Sequence, residues 1–293
     1  MRLREVEELC CGVAPGEGPV TVEPLGAGLL SDTYRVKRDG ASYTLKIASQ
    51  QGFELGADPA WEVRLLEQAG AAGVAPAVAY CDPGRKVLLT RWAAGRPWTV
   101  EEANEPASLE RIAQLLRRVH ALEVAGPPHS LSPVRWVEIY AASLAQRGVD
   151  AGDPALRAAA TAHLRQLDEW VPVPQVVCHS DLHALNLIEQ ANALILLDWE
   201  YAHIADPLWD LAGWSANNDL DAASQWRLLG DYGGRSPLAE DWRRLRLNLW
   251  LYDYVCLLWS KLYLSARREA GSEMAERARL LDARLRLPAN YAA

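Results

Sequence analysis

HSDLHALN, residues 179–186, sets two histidines, an aspartate and an asparagine between the apolar Val176, Val177 and Cys178 and a second apolar run that ends in LLDWE at residue 200. Burying such polar groups without partners costs several kcal/mol. Either they satisfy one another or they serve a ligand. Asp181 offers a carboxylate able to accept a hydroxyl proton. Asn186 and Asp198, both downstream of it, offer hard oxygen atoms of the kind Mg²⁺ takes. Phosphoryl transfer needs such a set, because most of its catalysis is positioning and charge neutralisation. Asp and Asn that only cap turns have no reason to occur as this ordered trio between strands.

Outward from this segment, the bulk properties narrow the field. The chain has 293 residues, 50% hydrophobic and 23% charged, which describes a globular protein of one large or two modest domains. A net charge of −8 leaves no basic surplus for phosphate backbones, so nucleic acid is not an expected partner. The opening MRLREVEELC has no apolar stretch after its charges and does not read as a signal peptide. No uncharged apolar run reaches the length of a membrane span. Cysteines 10, 11, 81, 178 and 256 show no metal-type spacing and are odd in number. That points to reduced thiols and a cytoplasmic location. The twelve tryptophans, against one Phe, are expected in cores and helix contacts and say nothing of a ligand by themselves.

Patterning predicts two lobes, 1–92 and 93–293. VTVEPL (20–25), TYRVKR (33–38) and SYTLKIA (42–48) alternate between glycine-bearing turns, as an antiparallel meander does. WEVRLLEQAGAAG follows with helical spacing, opened by Asp58-Pro59 and closed by glycine. Strands AVAYC (77–81) and KVLLTRW (86–92) complete a five-stranded lobe with one helix. Beyond Gly95 helical patterns dominate, at 109–122, 133–147, 155–170, around 240–268 and at 273–286, interrupted only by short strands in 175–200. The fold class is α+β.

His179-x-Asp181-x-x-x-x-Asn186 with Asp198 downstream resembles the catalytic loop and metal aspartate of protein-kinase-like small-molecule kinases. These are the aminoglycoside phosphotransferases and the choline/ethanolamine and thiamine kinases. LLDWEYAHIADPLWDLA (196–212) is similar to bacterial choline and thiamine kinases in particular. The resemblance implies a two-lobed protein-kinase-like fold and an enzyme using ATP and Mg²⁺. By it, Asp181 is the catalytic base and Asn186 and Asp198 hold the metal. His179 braces the loop through backbone hydrogen bonds, His183 supports the site from behind, and Asp210 ties the following helix to the loop. Lys46, in the third strand, is the phosphate lysine, paired with Glu62 of the next helix, though Glu67 lies on the same helix. Gly26 and Gly28 lie in a loop whose backbone N–H groups cover phosphates. It lacks the third glycine of protein kinases. Leu89, Thr90 and Trp92 offer backbone groups to adenine, and Trp92 packs either on the purine or within its lobe.

For the acceptor, the resemblance implies a small-molecule alcohol, cationic in the choline and thiamine kinases, held by carboxylates and aromatic faces. Glu200, Trp214, Tyr254 and Trp259 are the candidates, with Glu200 open to metal, substrate or both. In WLYDYVCLLWSK, Tyr252, Val255 and Trp259 share one helical face, a pattern more often core than ligand box. An aminoglycoside or sugar phosphotransferase is the alternative enzyme, and a nucleotide-binding pseudokinase the non-enzyme. Intact Lys46, Asp181, Asn186 and Asp198 speak against the latter.

Overall fold

The computed structural model describes residues 3–27, 31–49, 58–170, 172–191, 193–266, 272–287 and 291. The chain is α+β and divides into two compact units. One comprises Met1–Trp98, Leu122–Pro128 and Asn186–Glu200, the other Thr99–Ala121, His129–Leu185 and Tyr201–Ala293.

The first unit is built on an antiparallel sheet of β1 (Thr21–Ala27), β2 (Ser31–Arg38), β3 (Ala41–Ala48), β4 (Val78–Asp82) and β5 (Val87–Arg91), in the order β1-β2-β3-β5-β4. Tyr43 and Leu45 of β3 point into one core with Val36 and Leu89. Alternation then sends Lys46 to the opposite face. Helix α1 (Leu3–Val13) supplies Val6 and Cys10 to that core. Arg4, Glu5, Glu7 and Glu8 between the apolar residues mask this helix in the sequence. Its buried stripe, Val6, Cys10 and Val13, has helical spacing. Helix α2 (Pro59–Ala71) starts where Asp58 accepts hydrogen bonds from the N–H groups of Ala60 and Trp61, both at 3.0 Å, with Pro59 in the first turn. It buries Trp61, Leu65, Leu66 and Ala69, leaving Glu62 in the first turn to face away from that packing.

The break after residue 92 is not where the chain parts. β6 (Arg96–Pro97), β8 (Leu187–Gln190) and β9 (Ala193–Leu196) form a small sheet of the same unit. Trp98 N–H donates to the Leu187 carbonyl at 3.1 Å and Leu196 N–H to that of Val74 at 2.8 Å. Hydrogen bonds rather than sequence order thus assign 186–200 to this unit. Gly95 is required there: a Cβ would lie 2.3 Å from the Glu189 carbonyl oxygen.

The second unit is mainly helical: α3 (Val100–Ala103), α4 (Pro106–His120), α5 (Pro133–Gln146), α6 (Pro154–Asp168), α7 (Leu208–Asn217), α8 (Ala222–Gly233), α9 (Ala239–Ala266) and α10 (Ser272–Leu285). Helices α4, α5 and α6 each open on proline in the first turn. A two-stranded ribbon of β7 (Val176–Cys178) and β10 (His203–Ala205) pairs Cys178 with His203. Among the described residues, no helix is long and apolar enough to cross a membrane.

Candidate active site

Lys46 is the centre of the first unit's polar face. Its Nζ lies 3.0 Å from Glu62, 2.9 Å from Asp198 and 2.7 Å from Glu200. Lys46, Glu62 and Glu200 are largely enclosed, and Asp198 is the open member at 44% side-chain exposure. Of the two helix carboxylates that the sequence left open, Glu62 is the one that reaches the lysine. Burial alone would discharge Lys46. The carboxylates of Asp198, Glu200 and Glu62 outweigh it and hold the ammonium well above the usual lysine range. Burial also pushes Glu200 up to about 7, with Lys46 opposing and Asp198 and Glu62 adding to the rise. Ser31 Oγ donates to Glu200 at 3.1 Å.

Asn186 closes a 3₁₀ turn, Ala184–Asn186, directly before β8, and its carbonyl accepts from Leu197 N–H at 2.8 Å. That bond sets the carboxamide residue beside the chain segment that carries Asp198. Asp198 has φ +60°, a left-handed conformation that costs a non-glycine residue about 1–3 kcal/mol. A carboxylate and a carboxamide are the hard oxygen donors Mg²⁺ takes, and the open side of Asp198 leaves room for it.

The remaining nucleotide candidates divide. Gly28 lies outside the described residues. Gly26 is the paired partner of Thr33 across a β1 irregularity, and a Cβ there would meet nothing within 4 Å. Leu89 is fully buried in the core under the sheet and Thr90 nearly so, and both lie on β5, which is paired with β3 on one side and β4 on the other. Trp92 is covered by the Arg35 guanidinium, 4.3 Å from its ring centroid.

In the second unit, the 179–185 loop is held from behind by one buried carboxylate. Asp210, in the first turn of α7, accepts from the N–H groups of His179 and Ser180, both at 2.8 Å, and from His120 Nε2 at 3.1 Å. With Nε2 protonated, His120 Nδ1 accepts from the Tyr232 hydroxyl at 2.8 Å. Burial would raise Asp210's pKa, but these donors hold it below the usual carboxylate range. His179 is fully buried and its Nδ1 accepts from Asp181 N–H at 3.3 Å. Ser180 takes φ +69°, which turns the chain so that Asp181 emerges. From α9, Tyr252 donates to the Ser180 carbonyl at 3.1 Å. Asn217 Nδ2 in turn reaches the Leu182 carbonyl and the Tyr252 hydroxyl at 3.1 and 2.9 Å.

Asp181 opens into a cavity of about 220 Å³ whose wall includes Trp136, Tyr140, Tyr201, Trp209, Tyr252 and Trp259. Its carboxylate lies 3.7 Å from His183 Nε2. Burial raises its pKa, but the neighbouring His183, together with His179 and Arg277, brings it below the ordinary value. Asp181 therefore stays ionised at neutral pH.

The acceptor candidates need correction. Trp214 is fully buried in α7 and Tyr254 is buried with its ring stacked on Trp250 at 5.4 Å, and neither reaches the cavity. Glu200 belongs to the Lys46 cluster instead. Trp259 does line the cavity and donates to the Tyr201 hydroxyl at 2.8 Å. Tyr252, Val255 and Trp259, the shared helical face, form one wall. Sequence reasoning missed Trp136, Tyr140, Tyr201, Trp209 and Arg277, which converge only through packing.

A lysine among three carboxylates in the first unit, and a braced aspartate at an aromatic cavity in the second, are the kinds of group a phosphotransferase uses. The model of the phosphotransferase enzyme family (APH) matches residues 21–247, and the chain belongs to that family, whose members transfer phosphoryl groups to hydroxyls. Thiamine kinase of Escherichia coli is 37% identical over 86 residues, a match spanning 28% of this chain and 30% of that protein's length. Among solved structures, a choline/ethanolamine kinase family protein of Mesorhizobium loti shares the fold with a TM-score of 0.76, at 23% identity over 99% of this chain and 97% of that one. Choline kinase LicA of Streptococcus pneumoniae does so at 0.77, with 20% identity over 96% and 98%. At these identities the likeness is one of fold.

Proposed function

We propose that the protein transfers the γ-phosphoryl group of ATP to the hydroxyl of a small alcohol of the choline, ethanolamine or thiamine type, with Mg²⁺. The observation that carries this reading is the grouping of Lys46 with Glu62 and Asp198, at 3.0 and 2.9 Å, since phosphate binding needs a fixed ammonium beside a metal carboxylate. Lys46, oriented by Glu62, binds the nucleotide's phosphates. Asn186 and Asp198 hold Mg²⁺, which when bound neutralises phosphate charge. Gly26 and Gly28 cover the phosphates, and the end of β5, from Leu89 and Thr90 to Trp92, lies at the adenine.

Asp181 orients the acceptor hydroxyl and receives its proton. A carboxylate held below its ordinary pKa is a weak base. That suffices where the transition state is loose and proton transfer comes late. His183 and His179 steady it, and Asp210 fixes the loop. The thiamine kinase match and the aromatic cavity support a flat or quaternary cationic acceptor over a sugar.

Incubation of the purified protein with labelled ATP, Mg²⁺ and choline, ethanolamine, thiamine or kanamycin tests this. The expected result is transfer to one of the first three, cut about 10²–10⁴-fold by Asp181→Asn. Turnover of kanamycin alone would overturn the acceptor class, and undiminished transfer by Asp181→Asn would overturn the base.

A further inference from the structure

Arg277 stands apart from the other arginines of its helix. Arg279 pairs with Glu276 at 2.6 Å, Arg284 with Asp219 and Asp253, and Arg286, just past the end of α10, with Asp282 and Asp153. Arg277 has Glu273 four residues before it, the order and spacing at which a helix joins the two charges. That pair does not form. Among the described residues, no carboxylate oxygen lies within 4.0 Å of the Arg277 guanidinium. Its Nη2 donates instead to Asn217 Oδ1 at 3.2 Å, and the side chain lines the Asp181 cavity. Asn217 spends its NH₂ on the Leu182 carbonyl and the Tyr252 hydroxyl, so its oxygen is the end left to face Arg277. The carboxamide that holds the 179–185 loop thus also fixes the guanidinium.

The neighbours of Arg277 carry no compensating charge. Burial pushes the Cys256 thiol up to about 12 and the Tyr252 hydroxyl well above its usual range, so both are neutral. The negative group that acts on Arg277 within the cavity is Asp181, and His183, the third titratable group there, lies 3.7 Å from that carboxylate. A space of about 220 Å³ is therefore bounded by a carboxylate and a guanidinium that do not touch. A cationic alcohol gains nothing from the guanidinium, since like charges repel. After transfer the situation inverts. The oxygen at Asp181 then carries a phosphate of charge about −2, and the planar N–H fork of arginine matches phosphate oxygens. A contact made with the arriving phosphoryl group but not with the alcohol lowers the barrier, where one made equally with both would only tighten binding.

We propose that Arg277 contacts the phosphoryl group as it reaches the acceptor oxygen, and then holds the phosphate monoester product in the cavity. The inference rests on the phosphotransfer reading, with the acceptor hydroxyl at Asp181. In that step the bond from the acceptor oxygen to the γ-phosphorus forms while the bond from that phosphorus to the bridging oxygen of ATP breaks. ADP leaves with the electron pair, and the hydroxyl proton passes to Asp181. Arg277 exchanges no proton, being always charged, and donates its N–H groups to the phosphoryl oxygens. Helix α10 lies beyond residue 247, where the family match ends, so this contact comes from outside the matched segment.

Calorimetry on the full-length protein, without nucleotide or metal, compares choline with phosphocholine and thiamine with thiamine monophosphate. At least one ester is expected to bind about tenfold or more tightly than its alcohol. Arg277→Gln should weaken that ester about 10–100-fold and leave the alcohol unchanged or slightly tighter, while Arg277→Lys keeps part of the preference. In steady-state transfer to the best acceptor, Arg277→Gln should lower kcat about 10²-fold with KM unchanged or lower. The position is exposed, so the variant should keep the urea midpoint of the wild type. Equal affinity for ester and alcohol in the wild type overturns the proposal, as does failure of either ester to bind. Equal losses for ester and alcohol also overturn it, because a residue that only braces the loop through Asn217 would give that result. So does a raised KM with kcat intact, the signature of an acceptor anchor. Arg277-dependent ester binding with no transfer to either alcohol keeps this inference and removes the proposed acceptors. Transfer that Arg277→Gln leaves undiminished does the reverse.

Discussion

Replacing Asp210 with alanine should separate stability from catalysis. Its carboxylate is fully buried and accepts from two backbone N–H groups at 2.8 Å and from His120 at 3.1 Å. Hydrogen bonds to a charged group are worth about 1.5–3 kcal/mol each, and a buried donor left unmet costs about 1–3 kcal/mol. The three share one acceptor and do not add, so a loss of about 4 kcal/mol is expected. For a unit of this size, roughly 2–4 °C per kcal/mol translates this to a fall of roughly 8–16 °C in Tm. Asp210→Asn keeps the shape but turns an NH₂ toward a backbone donor, so an intermediate loss follows. The pH dependence has a definite sign. Asp210's folded pKa is depressed, so its contribution is complete above the unfolded carboxylate value near 3.9 and is lost as pH falls through the folded value. The gap between wild type and Asp210→Ala should therefore close in acid. Catalysis should fall by at least about 100-fold even at temperatures where the variant stays folded. The reason is that Ser180's left-handed turn loses its anchor and Asp181 with it. Urea unfolding at several pH values, alongside phosphotransfer to the best acceptor, is the measurement. A variant within 1 kcal/mol of wild type and fully active would refute the bracing argument.

Two further outcomes follow from the same geometry. Lys46→Met leaves Glu62, Asp198 and Glu200 facing one another without a cation. Transfer should drop about 10²–10³-fold, with a stability loss of up to about 3–5 kcal/mol measured by denaturant unfolding. Gly213→Ala puts a Cβ 2.9 Å from the Tyr252 ring inside α7. About 1–3 kcal/mol of overpacking should follow. Activity should fall as the Tyr252 hydroxyl is pushed from the Ser180 carbonyl, whereas Gly233→Ala, at the end of α8 with only Arg235 nearby, should change neither.

Much of the chemistry was legible in one dimension. Lys46 could be assigned to the polar face because strand side chains alternate, and Tyr43 and Leu45 are the buried neighbours that the period demands. The start of α2 was readable from Asp58-Pro59, which is local capping chemistry. Asp181 and Asn186 stood out as candidates because they fall in one short polar segment after a strand, and Asp198 because it follows the next apolar strand. The acceptor wall was not. Tyr252, Val255 and Trp259 lie at helical spacing, but so does Tyr254 with its neighbours, and periodicity does not say which stripe faces a void and which faces Trp250. Sequence order likewise hid that 186–200 hydrogen-bonds into the first unit.

By itself, then, the order of residues determined the α+β class and the sheet with its inward and outward faces, since each depends on interactions within a few residues or on a strict period. Only the tertiary structure decided that Glu62 rather than Glu67 meets Lys46 and that Glu200 joins it. It also decided that Trp214 and Tyr254 are core, and that aromatic rings from α5, α7, α9 and the Tyr201 turn close on one space. Those outcomes depend on how helices far apart in sequence pack, and packing chooses among faces that are equally apolar in one dimension.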